Sequence, residues 1–130
     1  MALRRAGLFR ELRHGMSTGP SLVEGRGVLD LELRSLASSY LRGGSVLATT
    51  GTMVGDWFEP SQTAVAPLQL RTNGTWVWPG DLAFYVDKYG VALPPEFLAQ
   101  MASESWRSPP LSQAQLLAVQ DLWIRDPGLG

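Results

Sequence analysis

The chain has no cysteine. That removes disulfides, thiolate nucleophiles and Cys-based zinc sites together, and it leaves the redox compartment open. Histidine occurs once, at His14, so a His-rich metal site is excluded and a Ser-His-Asp triad would have to use that one residue. His14 lies in a Gly-rich stretch with no partner at a metal-ligand spacing, and it reads as a solvent-exposed loop side chain. No metal and no cofactor is expected. Lysine also occurs once, at Lys88, against ten arginines. Charged residues make up 18% and the net charge is −1. No field of one sign draws the chain to nucleic acid or to an anionic membrane. No apolar run approaches the roughly 20 residues that span a bilayer. Internal repeats and low-complexity tracts are absent too. Gly43-Gly44 and Gly25-Arg26-Gly27 are not phosphate loops, because neither carries the Lys-Ser/Thr that such a loop needs.

What is present is 130 residues with 45% hydrophobic content, enough for one domain with its own core. Residues 1–27 read as an N-terminal arm and loop, and residues 28–127 as a single globular domain. The first ten residues are basic but hold no continuous apolar segment, so they are not a secretory signal and a cytoplasmic location is the expectation. Residues 14–27 are punctuated by glycine and proline and read as loop.

A helix is expected where Leu29, Leu33, Leu36, Tyr40 and Leu41 fall on one face, ended by Gly43-Gly44 with a glycine in the left-handed position. Ser45 to Thr50 is a short β-branched strand. Gly51 to Gln62 is a loop that carries Asp56-Trp57-Phe58-Glu59. Ala64 to Arg71 and Thr75 to Trp78 form a hairpin, with Pro67 marking an edge or a bulge. A second helix runs from about Pro79 to Tyr89 and stops at Gly90. A third starts at Pro94-Pro95. A fourth follows Ser112-Gln113-Ala114-Gln115, a capping-box pattern, and is stopped by Pro127. The fold class is therefore α+β: a short three-stranded antiparallel sheet with about four helices, mainly on one face.

Asn73-Gly74 between apolar runs predicts a two-residue type I′ turn, which needs positive φ at both positions. Thr72 then opposes Thr75, Arg71 opposes Trp76, Leu70 opposes Val77 and Gln69 opposes Trp78. Opposed residues share a face. One face carries Leu68, Leu70 and Val77, an ordinary core face. The other carries Gln69, Arg71, Trp76 and Trp78. Uncovered, that face is an aromatic platform with Arg71 over Trp76; covered by the N-terminal segment or a helix, it is core. Partial exposure of Trp76 and Arg71 is the expectation taken forward.

Asp56 and Glu59 flanking Trp57-Phe58 read as a loop-borne contact patch. Asp81, at the start of a helix, is explained by charge complementarity with the helix dipole. No spacing of carboxylates demands acid–base chemistry, so no catalytic residue is assigned. Tyr85 and Tyr89, one helical turn apart, read as core.

The run Trp76-Val77-Trp78-Pro79-Gly80-Asp81-Leu82-Ala83-Phe84-Tyr85-Val86-Asp87-Lys88-Tyr89, continued by Val91-Ala92-Leu93-Pro94-Pro95-Glu96-Phe97-Leu98, resembles a segment of small actinobacterial-type proteins. Some of these resemble the immunity proteins encoded beside polymorphic toxins. The resemblance spans residues 65–106 and implies a non-catalytic binder. The excess of arginine over lysine is what GC-rich codons favour, in keeping with a bacterial source. The expected function is a small protein-binding module, acting on another protein such as a toxin domain or on a second copy of itself. Its contacts would be Asp56, Trp57, Phe58, Glu59, Arg71, Trp76 and Trp78. The alternative is a small-ligand or enzymatic domain with an aromatic pocket between sheet and helices, lined by Tyr85, Tyr89 and Trp78.

Overall fold

A computed structural model describes residues 3–125. The elements in chain order are β1 (Arg4–Arg5), α1 (Leu22–Gly25), α2 (Leu31–Arg42), β2 (Ser45–Val54), β3 (Ala66–Thr72), β4 (Trp76–Pro79), α3 (Leu82–Tyr89), α4 (Pro95–Ser103) and α5 (Gln113–Arg125). The class is α+β, as expected. The sheet has four strands rather than three, in the order β1-β4-β3-β2. It is mixed rather than antiparallel, because β1 runs parallel to β4 with Arg4 opposite Trp76 and Arg5 opposite Val77. The expected stop at Pro127 lies outside the described residues.

Local chemistry sets most of the helix ends. Asp30 caps α2 by accepting from the Leu33 amide at 2.9 Å, the usual N-cap arrangement. Ser112 and Gln115 make the reciprocal bonds of a capping box at the start of α5, at 3.1 and 2.8 Å. Gly90 ends α3 in the left-handed region at φ 61. Gly43 does not do the same for α2: its φ is −84. The neighbouring Gly44 is required for space, since a Cβ there would run into the Trp78 ring.

The hairpin corrects the expected turn. Among the described residues only Gly74 of the pair has positive φ, at 103. Asn73 instead folds the turn with its side chain, whose Oδ1 accepts from the amides of Thr75 at 3.0 Å and Trp76 at 2.8 Å. An Asx-type turn needs no positive φ at the Asn. The loop is longer as a result, and the pairing slips by two residues: Arg71 faces Trp78 and Thr72 faces Val77. A slip of two leaves each side chain on the face expected. Pro67 lies opposite Met53, beside an irregularity in the pairing of β2 with β3, where Gly51 has φ 78. So β3 is a central strand that is bulged near its proline, not an edge.

Both faces of the sheet are covered. Trp76 and Trp78 are 2% and 1% exposed. Trp76 stacks on Phe97 of α4 with ring centroids 4.5 Å apart, and Trp78 meets Tyr40 of α2 and donates to the Leu41 carbonyl at 3.1 Å. This core also takes in Leu82, Tyr85 and Val86 of α3. On the opposite face Val77, Leu47 and Leu3 pack against Val119 of α5. The helices are therefore split between the two faces, because the Leu70–Val77 face is itself apolar and needs a cover.

The N-terminal segment belongs to the same core. Ala6, Leu8, Phe9 and Leu12 are buried. Phe9 lies edge-on to Tyr85 with centroids 6.4 Å apart. Arg4, not Arg71, sits over the Trp76 ring, at 4.4 Å.

Candidate functional site: a cleft between two loops

Two loops meet at the surface and leave a cleft of about 590 Å3 between them. One wall is the turn around Glu11, Leu12, Arg13 and His14. The other is Val54, Gly55, Asp56 and Trp57 where β2 gives way to its loop, with Leu68 of β3 beside them.

The first wall is a series of tight turns. The amides of Leu12 and Gly15 donate to the carbonyls of Phe9 and Leu12, both at 3.1 Å. Gly15 is forced by this folding, because the Phe9 carbonyl occupies the space a Cβ would need. Glu11 ties the wall to α1. Its carboxylate accepts from the Ser21 hydroxyl at 2.6 Å, the Leu22 amide at 2.7 Å and the Val23 amide at 3.3 Å. Desolvation works against the charged form. The Ser21 and backbone bonds outweigh it and hold the carboxyl down at about 2.

His14 is not the solvated loop residue expected from the sequence. Its Nε2 lies 2.7 Å from Oδ2 of Asp81, whose side chain is 1% exposed. Asp81 makes no side-chain bond to the first turn of α3, so its carboxylate serves His14 rather than the helix. The other oxygen, Oδ1, is buried without a hydrogen-bond partner among the described residues. Among those residues the second ring nitrogen of His14 has no hydrogen bond either. His14 and Asp81 are thus a positioned imidazole and its orienting carboxylate, with the imidazole lining the cleft.

The second wall is built on Asp56. This carboxylate is buried and fully used: it accepts from the Phe58 amide at 2.9 Å, from the Tyr89 hydroxyl, and from Lys88 Nζ at 3.4 Å. Lys88 also bonds Glu59 at 3.1 Å. The Tyr85 hydroxyl accepts from the Trp57 amide at 2.9 Å and reaches the Gly55 carbonyl at 3.4 Å. Burial raises the phenol of Tyr85 to about 12. Burial, followed by the Asp56 bond, raises that of Tyr89. Both stay protonated and able to donate at neutral pH. Hydrogen bonding to Glu59 first, then to Tyr89 and Asp56, raises the Lys88 ammonium and keeps it charged. Phe58 packs on Tyr89 with centroids 4.6 Å apart, and the Arg26 guanidinium lies 4.6 Å over its ring.

These bonds leave Trp57 with a fixed backbone while the residue stays 44% exposed. Of the expected contact residues, the loop brings together Asp56, Trp57, Phe58 and Glu59. Asp56 is a strut rather than a surface group, Phe58 is partly buried, and Glu59 is exposed and paired with Lys88. Arg71 is partly buried and donates to the Gly44 carbonyl. Trp76 and Trp78 are enclosed by the chain's own helices, so the expected aromatic platform is not a surface. Tyr85 and Trp78 are buried in the core between sheet and helices, at 0% and 1% exposed, and Tyr89 is partly buried at its margin. Sequence reasoning missed Arg13, His14 and Asp81 as parts of a site. Nothing local to His14 marks a partner that lies 67 residues away.

Among the described residues no group of three or more His, Asp or Glu side chains could hold a metal ion, and no helix is long and apolar enough to cross a membrane. No family model, no curated protein and no solved structure matches this chain.

Proposed function

We propose that this protein is a non-catalytic binding module that engages a partner through Trp57 and the cleft beside it. The observation that carries the reading is the state of Trp57: a large side chain, 44% exposed, on a backbone already fixed by Tyr85 and Asp56. Tryptophan is enriched at binding hot spots. A pre-ordered anchor loses little conformational entropy when a partner closes on it. The resemblance carried by residues 65–106 gives the reading a particular form, an immunity factor that masks a site on a toxin domain. In that form, growth protection against a toxin encoded beside the gene should be lost in Trp57→Ala.

The general test needs no known partner. Peptides selected from a random phage-displayed library on the immobilised protein should lose at least tenfold in affinity for Trp57→Ala, while the variant stays folded at the temperature of the assay. Selected peptides indifferent to Trp57 would overturn the reading.

One observation favours a second reading. A histidine held by a buried carboxylate is also the arrangement of a general base. Among the described residues no hydroxyl bonds to His14, so a water would be the nucleophile. Ester hydrolysis above background by the wild type, abolished in a folded His14→Gln variant, would favour an enzyme.

A further inference from the structure

We propose that the cleft between the His14 and Trp57 loops takes a carboxylate carried on an apolar body, with Arg13 as its counter-charge; this rests on the reading of the cleft as the binding site. The argument is one of residual charge. Three residues of full charge line the cleft: Glu11, Arg13 and Asp56. Glu11 is committed to Ser21, Leu22 and Val23. Asp56 is committed to Phe58, Lys88 and Tyr89, and its side chain has no exposed surface. Arg13 is exposed and makes no ion pair or hydrogen bond among the described residues. What the cleft has left to offer is therefore one guanidinium, which suits a carboxylate in fork geometry. His14, oriented by Asp81, adds an imidazole nitrogen with no other bond among those residues.

The remaining walls are Leu12, Val54, Leu68 and the Trp57 ring. They suit an aliphatic or aromatic body attached to that carboxylate. A dianion such as a phosphate monoester is disfavoured, because one guanidinium balances only half its charge. The same chemistry is found in a peptide's C-terminus with an apolar last side chain and in a free aromatic acid.

Calorimetric titration of the full chain with three probes tests this. N-acetyl-phenylalanine stands for a peptide C-terminus and phenylacetate for a free acid. N-acetyl-phenylalaninamide is the neutral control. The acids should bind one to one, with N-acetyl-phenylalanine at least tenfold tighter than its amide. In Arg13→Gln that preference should collapse to within about twofold, while the Tm holds. N-acetyl-phenylalanine binding more tightly than phenylacetate identifies the peptide source, and the reverse order the free acid. Absence of acid binding, or an acid-to-amide ratio unchanged in Arg13→Gln, overturns the proposal. Trp57→Ala separates the two readings. Acid preference that survives it at undiminished affinity keeps the carboxylate site and removes Trp57 as anchor. Trp57-dependent peptides with no acid preference do the opposite.

Discussion

His14 Nε2 lies 2.7 Å from Asp81 Oδ2, and this pair joins the N-terminal segment to the start of α3. Asp81 is buried and one of its oxygens has no partner among the described residues. Truncating the imidazole therefore leaves a buried carboxyl with no hydrogen-bond partner among the described residues. His14→Ala should destabilise the protein by about 2–3 kcal/mol, since a buried polar group that loses its partner carries its desolvation penalty. Urea unfolding of His14→Ala, Asp81→Asn and the double variant measures the coupling. Additive effects would mean that the pair does not act as a unit.

Asn73 is the second strut. It is 5% exposed. Its Oδ1 organises the turn, and its Nδ2 donates to the Tyr40 hydroxyl at 2.9 Å. Asn73→Ala breaks all of these and should cost about 2–3 kcal/mol, as buried acceptor and donor groups lose partners together. Gly74→Val places a β-branched residue at a φ of 103 and should cost about 1–3 kcal/mol. Denaturant midpoints unchanged in both would show that the turn does not hold the hairpin.

Trp57→Ala and Trp76→Ala should behave oppositely. Trp76 is core, and its removal should cost about 3–5 kcal/mol. Trp57 is 44% exposed and packs edge-on to Phe58 with centroids 5.4 Å apart, so its removal should cost about 1 kcal/mol, well below the loss for Trp76. Thermal unfolding of the two variants side by side distinguishes them. A large loss for Trp57→Ala would mean that its ring supports the fold and not a partner.

Glu11 should set part of the acid limit. Its folded value, about 2, lies below its ordinary value of 4.5. The ionised form is thus favoured by folding, and the contribution is fully present above about pH 4.5. It is lost as the pH falls towards 2, where the folded carboxyl takes up its proton. The midpoint of urea unfolding should drop across that window in the wild type and drop less in Glu11→Gln. Parallel curves would show that Glu11 is not tied to α1 in solution.

Several of these features were legible in the residues themselves. The capping box at Ser112–Gln115 and the stop at Gly90 are local, so a few side chains decide them. The division of the hairpin into a Trp face and a Leu-Val face was also legible, even though the register was read two residues off. A period of two forgives an even slip. Which face would be covered was not legible, because it depends on where α4 and α5 pack. Trp76 therefore read as surface and is core. His14 and Asp81 each looked ordinary in its own stretch, and only the tertiary fold makes them a pair. The Asp56 network is of the same kind: Tyr85, Lys88 and Tyr89 read correctly as a helix, but nothing in that helix shows that it will fix Trp57.

The parallel pairing of Arg4 with Trp76 has a kinetic consequence. On the ribosome, the first strand emerges long before its partner does. At about 5–20 residues per second, the wait between them is on the order of 4–14 s. Through that interval Leu3 has no β4, and Phe9 and Leu12 no α3, to cover them, so the segment that seals the sheet is among the last to find its place.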